Sequence, residues 1–253
     1  MTTSTGTSGA TTGPRSHPPG PRPGRGRLGG ILSNAAVAVG TVLFLGGFAW
    51  GAVQYQPVTV PSGSMDPTLE VGDRVLAQRI DGEDVRRGDV VIFNDSLWGD
   101  VPMVKRVVAV GGDTVQCCDK RGRLIVNGES VDEPYLEGEA SAVFGGLKKT
   151  EVEEGSLFLL GDDRATSVDS RMHLTDDNGG VPREAVSARV DARAWPPGRM
   201  GGVERTTAFD DALGGGVSAP GPYAAVTWAI VGGAALVLGG AAHGPVTRMF
   251  GRA

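Results

Sequence analysis

The sequence predicts a mainly β fold: an antiparallel β-sheet domain flanked by two transmembrane helices. Three observations carry this. Two long uncharged apolar runs lie towards the ends, at residues 35–53 and 223–242. Between them, short β-type runs alternate with turns containing Gly, Pro and Asp. Nothing in that middle region shows helical periodicity of convincing length.

The first run is 19 residues long, and no charged residue lies between Arg27 and Asp66. As a helix it spans about 28 Å, close to the hydrocarbon thickness of a bilayer. The second run has 20 residues, of which only Thr227 is clearly polar. Buried core helices are the alternative, but a core rarely needs two such runs. A cleavable signal peptide is a second alternative for the first run, because Arg15, Arg22, Arg25 and Arg27 precede it and Ala49-Trp50-Gly51 ends it in small residues. The apolar part of a signal peptide is usually about 7–15 residues, so an uncleaved anchor fits better.

Charge placement gives the orientation. The first 34 residues hold four arginines and no acid, and Arg248 and Arg252 follow His243 with no acid. Both termini are therefore expected in the cytoplasm and the middle outside, at the cell membrane. The net charge is −5 and the two tails account for +6, leaving −11 on the exported part. That balance argues against nucleic acid as a partner and leaves solubility as its meaning.

Six segments follow in order. Residues 1–30, rich in Thr, Ser, Gly and Pro, are expected as a disordered cytoplasmic tail. Residues 31–55 form the first span, 56–196 the extracytoplasmic domain, and 197–222 a Gly/Pro-rich linker expected to be a flexible tether. Residues 223–242 form the second span and 243–253 a second cytoplasmic tail. Within the domain, strands are expected at 58–60, 71–79, 89–93, 103–110, 124–126, 156–160 and 185–194. Asn127-Gly128 marks a type I′ hairpin.

The stretch richest in chemistry is Pro61-Ser62-Gly63-Ser64-Met65-Asp66-Pro67-Thr68-Leu69. Two serines around a glycine, bounded by prolines, make a rigid turn that presents hydroxyls. It is either an ordinary surface turn or the seat of a nucleophile, which needs both exposure and nearby N–H donors. A serine needs a base. His17 and His243 fall in the cytoplasmic ends, so His173 is the one exported imidazole, in a polar stretch where it is either a solvated loop residue or a triad member. A lysine is the other choice, provided burial keeps it neutral. Lys105 lies in Met103-Val104-Lys105-Arg106-Val107-Val108, either turned inward or solvated on an edge strand. Residues 161–171, dense in Asp, Ser and Arg, suggest a hydrogen-bonded network that could orient the amine. Their spacing does not match a twelve-residue calcium loop. Cys117-Cys118 could bridge only with strain, since adjacent Cα atoms lie about 3.8 Å apart. No further Cys or neighbouring His completes a metal site, and no cofactor is expected.

The serine turn, Gly88-Asp89-Val90-Val91, the run from Lys105 through Gly112-Asp113, and residues 161–171 together resemble the sequence boxes of bacterial type I signal peptidases. They stand in the same order, behind an N-terminal anchor. The resemblance covers residues 58–191, in a form with an additional C-terminal span. It implies a mostly antiparallel β fold and an endopeptidase that cleaves signal peptides from secretory precursor proteins at the lipid bilayer, after small residues at −1 and −3. It makes Ser64 the nucleophile and Lys105 the general base. Ser62 corresponds to the hydroxyl that joins the Ser64 N–H in the oxyanion hole, and Ser167 to the serine that positions the lysine. Asp169 and Arg171 correspond to a supporting ion pair. Asp163 stands where asparagine is common, and Ala165-Thr166 also vary. Penicillin-binding enzymes need Ser-x-x-Lys, whereas Pro67 lies three residues after Ser64. Self-cleaving repressors resemble the same core but lack membrane spans. A non-catalytic binding module on two anchors is the rival reading, and intact Ser64, Lys105 and Ser167 argue against it.

Overall fold

The structure is a computed structural model that describes residues 25–99, 101–136 and 146–250. Most of the expected N-terminal tail, and the last three residues of the C-terminal one, lie outside the described residues. Helices α1 (Arg25–Gln54), α2 (Ala208–Leu213) and α3 (Tyr223–Phe250) accompany twelve described strands. These are β1 (Tyr55–Thr59), β2 (Arg74–Arg79), β3 (Val90–Phe93), β4 (Met103–Val110), β5 (Thr114–Cys117) and β6 (Leu124–Val126). The rest are β7 (Glu129–Ser130), β8 (Thr150–Glu151), β9 (Ser156–Leu160), β10 (Gly180–Pro182), β11 (Val186–Trp195) and β12 (Gly201–Gly202). All pairings are antiparallel. The larger sheet runs β1-β2-β11-β3-β4-β9-β10, with β12 on β11, and the smaller runs β7-β6-β5-β8.

The large sheet is buried on both faces, which is why β3 reads as unbroken Val-Val-Ile-Phe rather than as an alternation. Val90 and Ile92 pack with Val75, Ala77, Val104, Met65 and Leu69. Val91 and Phe93 point the other way, into Val107, Leu157 and Leu159. The small sheet closes a third cluster, in which Val115, Leu124 and Val126 meet Phe158 and Leu160. At the predicted hairpin, Asn127 and Gly128 have φ of +53° and +88°, as a type I′ turn requires.

Residues 197–222 differ from the expected tether. They contain β12 and the one-and-a-half-turn α2, whose Phe209 is buried among Val108, Phe158 and Leu160. Arg205 pairs with Asp191 at 2.5 Å, and the Ser218 hydroxyl donates to Asp89 at 2.7 Å. One aromatic anchor and buried ion pairs turn a Gly- and Pro-rich segment into a packed strap.

Gly29–Gln54 and Tyr223–Ala242 are long and apolar enough to cross a membrane. They pack against each other along Ser33, Gly40 and Gly47 of α1 and Gly233 and Gly240 of α3, each set spaced by seven residues. The Ser33 hydroxyl donates to the Gly240 carbonyl at 2.7 Å, and a Cβ on Gly40 would sit 2.7 Å from the Gly233 carbonyl. Small residues let the helix backbones approach, the usual basis of helix association in lipid. Away from the seam, Val42, Leu45, Phe48, Trp228 and Leu238 are exposed, as lipid-facing side chains would be.

Candidate active site

The serine turn folds as a single 3₁₀ turn, Gly63–Met65, with Ser62 in extended conformation before it. The turn's own bond runs from the Asp66 N–H to the Gly63 carbonyl, so it does not use the Ser64 N–H. Ser62 makes no side-chain cap, and its hydroxyl lies 3.3 Å from Ser64 Oγ. Met65 and Leu69 are fully buried and pin the turn to the sheet.

Lys105 Nζ lies 2.8 Å from Ser64 Oγ. Its position follows from register. Lys105 pairs with Val91 on one side; on the other, β9 ends at Leu160, opposite Arg106. The strand therefore stops one residue short of Lys105 and leaves that edge to the loop that follows it. Lys105 is only 4% exposed, so the solvated edge-strand alternative does not hold. Burial lowers its pKa, and the charges of Asp169 and Asp162 offset this only in part.

Gly161 is where loop and turn meet. A Cβ there would lie 2.4 Å from the Ser64 carbonyl oxygen and 2.2 Å from Ser167 Oγ, so no side chain fits. The Asp163 N–H donates to that same Ser64 carbonyl at 3.1 Å. The Asp163 carboxylate accepts from the Ala165 and Thr166 N–H groups and the Thr166 hydroxyl, which accounts for an aspartate at this place. Ser167 is 8% exposed, and its hydroxyl is buried without a hydrogen-bond partner. Asp169 is fully buried, pairs with Arg171 at 2.6 Å and accepts from the Gly161 N–H at 3.1 Å. Arg171 also donates to the Arg164 carbonyl at 3.1 Å, which ties the ends of the loop together.

A cleft of about 330 Å³ opens over Ser64 and Lys105. One wall is residues 60–65 and the other residues 101–105, with Thr166 and Val168 at the side. Its lining is mostly apolar around two reactive atoms, the composition of a peptide-binding groove.

Residues 32–195 match the Peptidase_S26 family, described as signal peptidase, peptidase S26. The signal peptidase I of Leptolyngbya laminosa is 35% identical over 151 residues, covering 56% of this chain and 70% of that protein. The chain belongs to the S26 signal peptidase family. The Bacillus licheniformis signal peptidase I is 42% identical over 133 residues, covering 49% of this chain and 69% of that one. That of Mycobacterium tuberculosis is 33% identical over 202 residues, covering 58% and 67%. A crystal structure of a signal peptidase I from Enterococcus faecalis shares 27% identity and covers 42% of this chain and 95% of its own, at a TM-score of 0.31, a superposition too loose to bear on the fold.

As an S26 peptidase the chain has supports that sequence reasoning missed. Arg106, 1% exposed, forms a two-pronged pair with Asp162 at 2.8 and 2.6 Å, donates to the Gly88 carbonyl and stacks 3.9 Å over the Tyr135 ring. The Thr68 hydroxyl donates to Asp162 as well, at 2.5 Å, so one carboxylate joins the serine turn to the 161–171 loop. Beside it, Arg164 pairs with Glu133 in a second buried couple. The signal was present, because an arginine inside a Val-rich strand demands a buried acid. His173, expected as a solvated loop residue or triad member, is half-buried and stacked on Trp98 at 4.4 Å, and it does not line the cleft. Cys117 and Cys118 are bridged to each other, and no metal-binding cluster occurs among the described residues. A larger cavity of about 480 Å³, bordered by Thr68, Arg106, Arg193 and Arg205, contains neither Ser64 nor Lys105. Its arginines are committed to Asp162, Asp73 and Asp191.

Proposed function

We propose that this chain is a membrane-anchored serine endopeptidase that removes signal peptides from exported precursor proteins. The observation that carries the reading is the 2.8 Å contact between the Ser64 hydroxyl and a buried lysine amine. Neutral Lys105 accepts the Ser64 proton as Oγ attacks the scissile carbonyl carbon, and then returns it to the departing amine. A water activated by the same amine hydrolyses the acyl-enzyme. The Ser64 N–H and the Ser62 hydroxyl receive the oxyanion, where loss of one donor typically costs about 10²–10³ in rate. Ser167, whose buried hydroxyl lacks a partner, is assigned to orient the Lys105 amine, because an unpaired buried hydroxyl is costly. The Asp169–Arg171 pair holds the loop that carries it.

An extended precursor segment lies in the cleft between residues 60–65 and 101–105. Buried Val60, Met65 and Val104 give that cleft an apolar lining, and the residues it takes at −1 and −3 are small. Both termini are cytoplasmic, with residues 56–196 outside. Detergent-solubilised protein incubated with a secretory precursor should create one new N-terminus, behind a small residue. Ser64→Ala should abolish it. Cleavage by Ser64→Ala, or a native protein that leaves every precursor intact, would overturn the reading.

A further inference from the structure

Helix α1 ends at Gln54 and β1 begins at Tyr55, so no linker separates the first span from the catalytic sheet. A helix end leaves its last carbonyls unpaired. Here Arg79, at the end of β2, takes up two of them: its guanidinium donates to Ala52 O at 2.9 Å and Val53 O at 3.0 Å, and also to Tyr55 O, the first carbonyl of β1, at 2.6 Å. A cation is also the favourable charge at that pole of the helix.

The second span is fastened to the same corner. The Tyr55 hydroxyl donates to Asp191 at 2.7 Å, and Asp191 also accepts from the Gly221 N–H at 3.1 Å, two residues before α3. Tyr55 and Asp191 are 5% and 2% exposed. A Cβ on Gly221 would come within 2.5 Å of both the Tyr55 hydroxyl and Asp191, so the chain passes here with no slack. Entry and exit of the helix pair are thus tied to the neighbouring strands β2 and β11, and the glycine seam holds the helices to each other. Ser64 follows Gln54 by ten residues, which limits its reach from the helix end to about 33–36 Å.

We propose that Arg79, with the Tyr55–Asp191–Gly221 junction, is a positioning clamp that holds the cleft at one height and angle over the bilayer. The enzyme then selects the scissile bond by its distance from the precursor's membrane-embedded segment. This rests on the proposed function. None of the four residues lines the cleft, so a soluble peptide is indifferent to the clamp, whereas a membrane-held precursor is not.

The test uses the full chain in liposomes as native protein, Arg79→Ala, Arg79→Lys and Tyr55→Phe. Arg79 is exposed, and turnover of a soluble peptide reports whether the domain is intact. Peptide turnover should stay within about twofold throughout, while Arg79→Ala loses about tenfold on an inserted precursor, the scale expected of a site misplaced by a fraction of an ångström. Arg79→Ala should also accept precursors whose cleavage site is moved by two to four residues, and Arg79→Lys should restore discrimination. Equal loss on peptide and precursor, or unchanged spacing preference, overturns the clamp. A second arm needs no activity: spin labels at Val42→Cys and Val71→Cys, both exposed, report the helix-to-domain distance. A narrow distribution that broadens in Arg79→Ala supports the clamp, and equal widths overturn it. If the native protein cleaves neither substrate, the proposed function fails while the distances still decide the clamp.

Discussion

Gly161→Ala isolates how tightly the site is assembled. The added Cβ would sit 2.4 Å from the Ser64 carbonyl oxygen, where ordinary contact begins at 3.4 Å, so the serine turn must retreat by roughly 1 Å. The turn is also the partner of the Asp163 N–H, so the movement breaks a bond that fixes Ser64 to the loop. A misplacement of about 1 Å can cost about 10²-fold in rate, and overpacking costs about 1–3 kcal/mol in stability. Turnover of a signal-sequence peptide and thermal unfolding in detergent measure the two effects. Gly198→Ala, with nothing within 4 Å of its would-be Cβ, is the neutral comparison. A Gly161→Ala enzyme within about twofold of native turnover would mean that Ser64 is not held this tightly, because a displacement of that size should slow the reaction about 10²-fold.

Four further outcomes are expected. Because burial lowers the Lys105 pKa, kcat/KM should rise with pH on an ionisation below that of free lysine. Between the lowered value and the ordinary value of an unfolded lysine the folded state holds fewer protons than the unfolded, so stability rises with pH there and the burial penalty is felt in full below it. Lys105→Met should therefore be more stable than native in urea at neutral pH, and the gap should narrow as pH rises. Phe209→Ala should lower stability by about 3–5 kcal/mol, as deletion of a buried ring does, whereas a loose 197–222 tether predicts no change in the urea midpoint. Protease added to intact spheroplasts should digest residues 56–196 and spare both tails; a protected central domain contradicts the topology.

The sequence made legible those elements whose local pattern agrees with their tertiary setting. β4, β6 and β9 appear with the expected bounds, and Asn127-Gly128 turns as its residues require. The missed strands are short: β8, β10 and β12 have two or three residues and β5 four, and tertiary pairing rather than pattern defines them. α2 is too short for periodicity to register, and its burial depends on one phenylalanine. Within the site, the serine turn and the lysine were readable as chemistry, but whether Lys105 turned inward was not, because that depends on β9 ending at Leu160. The Arg106–Asp162 couple joins residues far apart in the chain, and only a demand for a buried partner pointed to it. The glycine seam was written at seven-residue spacing in α1 but went unread beside the stronger hydropathy signal.

The most direct test of the account is the kcat/KM of Lys105→Arg. Arginine preserves the positive charge but stays protonated, so it cannot take the Ser64 proton. General-base catalysis is worth up to about 10⁴-fold, and a loss on that scale is expected in a variant whose thermal unfolding confirms that it is folded. His173→Ala, assayed alongside, should remain active, since His173 stacks on Trp98 and does not line the cleft. Near-native turnover by Lys105→Arg, beside an inactive His173→Ala, would contradict the assignment of Lys105 as the base.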